Sequence, residues 1–189
     1  MNKILVNYST EAVAAYQIVS RLDMLLFMPI LGIAISLTTI VGMFYGAKEF
    51  DKLLSVVNYG INRAVLITTI SVIFFFVLAS NILPIFSSNP LVIDIGVTYL
   101  KIIILVYPAV GISVICSRVC QALGQGMPLL ITTITRVIIL TAPLSYYFYF
   151  TGRPIEWVWF SQVFAILIAA TISFACLLYT SPSPRDDSQ

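Results

Sequence analysis

The chain has 189 residues, of which 60% are apolar and 10% are charged, and its mean hydropathy is +1.02. Soluble domains carry about 25% charged and about 45–50% apolar residues, so this composition excludes a water-soluble globular protein and predicts one that lies in lipid. The net charge of +2 includes no basic cluster, which argues against a nucleic-acid partner. The chain has no histidine, and it therefore lacks the commonest general base and metal ligand.

Long uncharged stretches define the predicted elements. A membrane-spanning helix needs about 20 predominantly apolar residues, and five such segments fit the chain. Continuous apolar runs favour helices over a β-barrel, whose strands alternate in segments of about ten residues. We therefore predict an all-α polytopic membrane protein of about five transmembrane helices, over residues 11–46, 54–82, 92–121, 127–150 and 156–180.

The two ends of the chain differ from this five-helix bundle. Residues 1–10 have neither a long apolar run nor a cleavage site, so they are not a signal peptide. We interpret them as the tail of an upstream helix followed by an external loop. Residues 181–189 are rich in Ser, Pro and charged residues and have no apolar face. They are predicted to be disordered, and they are either a native tail or a non-native extension.

The distribution of lysine and arginine predicts the orientation in the membrane. One side of the bundle carries Lys48, Lys52, Arg63, Arg118 and Arg185, and the other carries Lys3, Lys101 and Arg153. Cytoplasmic loops carry the excess of positive charge. We therefore expect a multi-pass protein of the cell membrane, with the loop at 48–52 in the cytoplasm and the loop at 87–90 outside.

Four residues are candidates for a substrate-binding cavity. A charged residue at the centre of a membrane helix costs about 2.5–3.5 kcal/mol. Arg136, about nine residues into the fourth span, therefore either faces the bundle interior or snorkels towards an interface. Arg21 and Asp23 precede the uncharged run of the first helix, where they are either interfacial anchors or face a central cavity. Tyr107, next to Pro108, is either a cavity residue or an ordinary packed aromatic.

Small residues in the first helix suggest close helix packing, whereas no residue pattern suggests catalysis. Gly32 with Ser36, and Gly42 with Gly46, have the four-residue spacing that lets helix backbones approach in lipid. Paired carboxylate motifs, a P-loop and a nucleophile beside a base are all absent from the sequence. The three cysteines have no metal-ligand pattern. The sequence therefore predicts neither an enzyme nor a metal site nor a bound cofactor.

Several segments resemble the multidrug and toxic compound extrusion (MATE) family, over about residues 8–178. Four segments are similar to the eighth of the family's twelve helices: AVAAYQI at 12–18, RLD at 21–23, MPILGIA at 28–34 and VGMFYGA at 41–47. Residues 99–102 resemble the opening of the tenth helix. Residues 121–128 resemble the glycine turn into the eleventh helix, to which Arg136 and Pro143 then correspond.

The resemblance implies a protein of two six-helix lobes around a central cavity. This chain would form most of the C-terminal lobe, with the N-terminal lobe of the same protein as its partner. The family exports cationic or amphipathic drugs and toxic compounds in exchange for Na⁺ or H⁺. Some members carry an acidic residue in the middle of the tenth helix for cation binding, but residues 107–117 contain none, and Gly111 lies near that position. We therefore expect the coupling site in the other half of the protein, and Asp23 near the outer membrane boundary, within reach of water.

Three alternatives remain open from the sequence. A lipid-linked saccharide or polysaccharide flippase of the same superfamily would share the two-lobed bundle. It would need more basic residues in the cavity to hold pyrophosphate, and only Arg21 and Arg136 are candidates here. A non-transporting structural subunit of the membrane is the second alternative. A membrane-embedded enzyme is the third, and the absence of catalytic groups argues against it.

Overall fold

The computed structural model describes residues 2–180, which form helices joined by short turns. The helices are α1 Asn2–Leu5, α2 Thr10–Gly46, α3 Phe50–Phe86, α4 Pro90–Ile104, α5 Tyr107–Ala122, α6 Met127–Ile134, a π-helical segment Thr135–Thr141, α7 Ala142–Phe150 and α8 Ile155–Thr180. Four helical stretches are long and apolar enough to cross a membrane, and α4 with α5 makes a fifth if the bent pair is one span. The predicted all-α polytopic bundle is thus confirmed. The tail predicted for 181–189 lies outside the described residues.

Polar residues at two turns fix where the helices begin. The Ser9 hydroxyl accepts a hydrogen bond from the Ala12 amide at 3.0 Å, which caps the first turn of α2. The Asn89 side chain accepts from the Leu91 amide at 3.0 Å, and Pro90 supplies the first residue of α4. These caps satisfy amide groups that would otherwise be unpaired at a helix start.

The predicted third helix, 92–121, is in fact two helices. α4 ends at Ile104 and α5 begins at Tyr107, and the two axes differ by 53°. Pro108 has no amide hydrogen, so the bond that a continuous helix would make to the Ile104 carbonyl cannot form. The break places Tyr107 at the first turn of α5, where it is buried.

The predicted fourth helix, 127–150, is continuous but not regular. Between α6 and α7 it widens into the π-helical segment, in which the Thr141 hydroxyl donates to the Arg136 carbonyl at 2.7 Å. That carbonyl lies five residues earlier, which is the π-helical spacing, and Pro143 follows directly at the start of α7. Irregular turns of this kind often occur at functional sites.

The core lies around α5, which contacts α2, α3, α6 and α8. One buried cluster surrounds Trp159, Tyr99 and Leu100 near the start of α8, and a second surrounds Ile115 and Val119 in the second half of α5. Outward-facing apolar side chains such as Val77, 71% exposed, form the surface that lipid covers.

A group of hydroxyls links three helices inside the bundle. The Ser173 oxygen of α8 lies 3.0 Å from that of Ser113, 3.2 Å from that of Ser117 and 3.3 Å from that of Thr132. Ser173 also donates to the Ala169 carbonyl at 2.9 Å. Such interhelical hydrogen bonds contribute to association where lipid offers no hydrophobic drive between helices. They hold α5, α6 and α8 together.

The glycines that allow close helix approach are not the ones the sequence suggested. A Cβ atom on Gly111 would lie 3.2 Å from the Thr68 side chain, so α5 meets α3 closely at this point. At Gly32, Gly42 and Gly46, in contrast, no atom of the described neighbouring elements lies within 4 Å of the Cβ position. The packing role predicted for these three glycines is therefore not found within residues 2–180.

Candidate functional site

A cavity of about 710 Å³ lies between α2, the α4–α5 bend, the π-helical segment and α8. Its polar and aromatic lining residues are Tyr16, Ser20, Asp23, Phe27, Tyr99, Tyr107, Arg136, Thr141 and Gln162. The remainder of the wall is apolar, and it includes Met24 and Val137. A mostly apolar cavity with a few convergent polar groups is typical of a small-molecule site.

Asp23 and Tyr107 form the central polar contact of the wall. The Tyr107 hydroxyl donates a hydrogen bond to Oδ1 of Asp23, across a sequence separation of 84 residues. Tyr107 is only 3% exposed, and its ring packs edge-to-face on Phe27 at a centroid distance of 6.3 Å. The bend before α5 thus places the Tyr107 hydroxyl as a rigid donor beside the half-buried carboxylate of Asp23. An unpaired carboxylate would be costly in a membrane.

Aromatic side chains form the part of the wall nearest the start of α8. Tyr99 packs on Trp159 at 4.2 Å between ring centroids, and Tyr16 lies 5.7 Å from Tyr99. The Tyr99 hydroxyl donates to Oε1 of Gln162 at 3.0 Å. Trp159 is fully buried and supports the two tyrosines, whose rings line the cavity. Aromatic faces of this kind attract organic cations.

Arg136 carries the positive charge of the cavity wall. It is half-buried on the π-helical segment, at about the middle of its span. Within residues 2–180, no carboxylate lies within 4.0 Å of its guanidinium, and the ion pair seen there joins Lys52 to Glu49 at 2.8 Å. The carboxylate of Asp23 and the guanidinium of Arg136 therefore face one cavity without neutralising each other directly.

The structure brings together three of the four candidate cavity residues. Arg21 is exposed and does not line the cavity. Asp23, expected near the outer boundary, lies thirteen residues into α2, about 20 Å from its start, and lines the cavity. The α4–α5 bend packs against this part of α2 and covers the carboxylate.

Sequence reasoning missed Tyr16, Tyr99 and Gln162. A signal existed for Tyr16, because residues seven apart lie on one helix face, and Asp23 is seven residues later. Gln162 is the one amide side chain of the mostly apolar α8, which is also a signal. Tyr99 belongs to the segment at 99–102 that resembles the opening of the tenth helix, but that resemblance does not indicate a cavity position.

The sequence matches a family model, MatE, over residues 1–147, which is most of the chain. The chain belongs to the MatE family. Its curated relatives include a probable multidrug resistance protein NorM from Thermotoga maritima, which is 27% identical over 143 residues. That match covers 76% of the chain and 31% of the relative.

Solved MATE structures share the fold. A MATE transporter, ClbM, in complex with Rb⁺ has a TM-score of 0.87 and 27% identity, over 97% of the chain and 42% of ClbM. A MOP superfamily transporter from Pyrococcus furiosus has a TM-score of 0.87 and 23% identity, over 96% of the chain and 42% of that protein. The chain thus spans about a third to two fifths of these relatives, and its fold is that of one lobe of a twelve-helix transporter.

Proposed function

We propose that this chain forms most of the C-terminal lobe of a secondary multidrug antiporter of the cell membrane. The whole protein would export cationic or amphipathic compounds in exchange for Na⁺ or H⁺, and the N-terminal lobe of the same protein would be the partner of this chain. The observation that carries the proposal is the cavity. In a chain of the MatE family, its mostly apolar wall includes a half-buried carboxylate, three tyrosines and one arginine.

The cavity wall suits an amphipathic cation. An organic cation gains from the carboxylate of Asp23 and from the tyrosine faces, and its apolar part gains from side chains such as Phe27 and Leu31. A proton or Na⁺ would occupy the same carboxylate. Competition between drug and ion for one charge is the elementary requirement of exchange, because binding of one then weakens binding of the other.

The sequence predicts that the residue for ion coupling lies outside this chain, whereas we propose a coupling residue within it. The coupling carboxylate was expected outside this chain because Asp23 was assigned to the outer boundary. Since Asp23 lies on the cavity wall with Tyr107 as its donor, we propose that it contributes to ion coupling alongside any acidic residue of the other lobe.

The flippase alternative receives less support from the cavity. A pyrophosphate group needs several basic side chains around it. Arg136 is the one basic residue among the described cavity-lining residues.

Ion-driven efflux tests the proposed activity. The whole transporter is reconstituted in liposomes with the fluorescent cation ethidium at equal concentration inside and outside. It is expected to move the dye out against the gradient that builds up when Na⁺ or H⁺ is supplied on the opposite side. An ionophore that dissipates the effective ion gradient should stop the movement, and dye fluorescence reports it. Liposomes that show no ion-driven movement of ethidium or of other organic cations, yet translocate a labelled lipid-linked saccharide, would establish the flippase instead.

The proposed orientation has a separate test. We expect the loop between α2 and α3 to be cytoplasmic and the loop between α3 and α4 to be external, because of the bias in positive charge. On a background without the three native cysteines, Lys52→Cys and Ser88→Cys are introduced singly, and intact cells are treated with an impermeant maleimide. Labelling is expected at position 88 alone, with position 52 labelled only after permeabilisation. The reverse pattern would invert the topology.

A further inference from the structure

A second pocket, of about 640 Å³, lies at the turn between α7 and α8. Its wall includes Tyr147 and Phe148 of α7, Arg153 of the turn and Trp157 of α8. Among the described residues, none lines both this pocket and the central cavity. The transport function proposed above therefore leaves this pocket without a role.

The pocket lies at the depth of the lipid headgroups. The apolar spans Met127–Phe150 and Ile155–Tyr179 meet at this turn, and they have 24 and 25 residues. Helices of this length measure about 36–38 Å and exceed a hydrocarbon core of about 30 Å, so their ends reach the headgroups. Tyr147 and Trp157 are 61% and 43% exposed, as is typical of the aromatic residues at a membrane interface.

Hydrogen bonds within the protein fix the backbone of the turn. The amides of Thr151, Gly152 and Arg153 donate to carbonyls of α7 at 3.0–3.1 Å. Gly152 has a φ of +63°, which glycine adopts without strain. The Tyr8 hydroxyl donates to the Arg153 carbonyl at 3.0 Å. Because these three amides are already used, a ligand in the pocket would have to be bound by side chains.

The Arg153 side chain is positioned but not neutralised. Its guanidinium carbon lies 5.4 Å from the ring centroid of Trp157, which is a cation–π contact. Among the described residues, no carboxylate lies within 4.0 Å of the guanidinium nitrogens, although Glu156 is only three residues away, and no acceptor hydrogen-bonds to them. A guanidinium presents paired N–H donors that match two oxygens of a phosphate group. The donors of Arg153 thus suit an oxyanion.

An exposed apolar stripe on α8 continues from the pocket. Its members are 43–63% exposed and share one helix face, and they are Trp157, Phe160, Phe164, Leu167, Phe174 and Leu178. Trp157 belongs to both the pocket and the stripe. An acyl chain whose headgroup occupied the pocket would run along the first half of this stripe. The pocket and the stripe together therefore complement a molecule with a phosphate group and an apolar tail.

We propose that the pocket at the α7–α8 turn binds one phospholipid, whose phosphate contacts Arg153 and whose acyl chain lies along the exposed stripe of α8. Arg153 is the residue that binds the phosphate. Trp157 is a positioning residue, because its ring holds the guanidinium in place. The proposal depends on the location of the chain in a membrane and on the geometry of this pocket, and it is independent of the transported compound and the coupling ion.

Quenching by brominated lipids tests the proposal. The whole transporter without its native cysteines receives Phe150→Cys, which is labelled with the fluorophore bimane. Phe150 is 68% exposed and adjoins Thr151 of the pocket without lining it. The labelled protein, in micelles of the phosphate-free detergent dodecyl maltoside, is titrated with dibrominated phosphatidylglycerol or with the diacylglycerol of the same chains. We expect phosphatidylglycerol to reach half-maximal quenching at about a tenfold lower mole fraction than the diacylglycerol.

Substitutions separate the phosphate contact from lipid contact in general. Arg153→Gln should raise the half-quenching mole fraction of phosphatidylglycerol about fivefold or more, and that of the diacylglycerol by less than about twofold. Arg153→Lys keeps the charge and should raise the former by only about two- to threefold. The matched control is Arg63→Gln, with an expected change of less than about twofold. The Arg63 guanidinium also lies over an aromatic ring, 4.9 Å from the centroid of Tyr59, but Arg63 lines neither pocket.

Several outcomes would overturn this lipid site. Equal quenching by the two lipids in the native protein, or unchanged quenching by phosphatidylglycerol in Arg153→Gln, would show that Arg153 does not bind the phosphate. An equal loss in Arg153→Gln and Arg63→Gln would show diffuse attraction of an anionic lipid to basic residues. Absence of quenching by either lipid would show that the other lobe or another protein covers this face of α8. Complete reversal of the quenching by inorganic phosphate would show a site for the free anion instead.

Discussion

Expressed alone, the 189-residue chain is expected to confer no drug resistance, whereas the proposed two-lobed transporter should. The reason is that the chain leaves its cavity incomplete. Met24 and Val137 line the cavity and yet are 67% and 47% exposed, so the wall is open on one side. An open wall neither desolvates a bound cation nor alternates between the two sides of the membrane, and both are required for ion-driven export.

Growth of a host that lacks its own drug pumps measures this effect. The minimal inhibitory concentration of ethidium is compared for cells that carry the empty vector, the chain alone and the whole transporter, with membrane levels matched by immunoblot. The chain alone should match the vector. Co-expression of the remaining part as a separate polypeptide is the positive control, since it should restore resistance if the chain is folded. Resistance from the chain alone, equal to that of the whole transporter, would contradict the two-lobe proposal.

The helical spans are predictable because they follow from composition and length. A run of about 20 apolar residues without charge has few alternatives to a membrane helix. The breaks within the spans are less predictable. Pro29 and Pro84 lie inside the continuous helices α2 and α3, whereas Pro108 follows a 53° bend. Each proline removes one backbone hydrogen bond, but the packing of neighbouring helices determines whether the helix bends there.

The charged residues of the candidate site could be predicted from the sequence, whereas the contacts that they make could not. The cost of charge in lipid is enough to single out Arg136 and Asp23. Whether Asp23 faces a cavity, however, depends on which helices pack against it, and its partner Tyr107 is distant in sequence. The packing glycines show the same limit. A Cβ atom on Gly111 would lie 3.2 Å from the Thr68 side chain of α3, although Gly111 lacks the four-residue spacing. Gly32 has that spacing, but no atom of the described neighbouring elements lies within 4 Å of its Cβ position.

Replacing Asp23 by asparagine is expected to reduce ion-driven efflux by about tenfold or more in the whole transporter. Asparagine has nearly the same shape, and its carbonyl oxygen can still accept the hydrogen bond from Tyr107, so packing of the wall should persist. What disappears is the charge for which drug cation and coupling ion compete. Coupling free energies of about 1–3 kcal/mol correspond to changes in ligand affinity of about 5–150-fold. Loss of the shared charge should remove most of the coupling free energy between drug and ion.

The measurement is initial efflux of ethidium from liposomes at a fixed Na⁺ or H⁺ gradient, alongside equilibrium dye binding without a gradient. Asp51→Asn, at the start of α3 and outside the cavity, is the matched control and should behave as the native protein. Tyr107→Phe removes the hydrogen bond but keeps the carboxylate and the ring, so a smaller loss of a few-fold is expected. If Asp23→Asn retains native ion-driven efflux at equal protein level, Asp23 does not couple, and the coupling carboxylate lies in the other lobe.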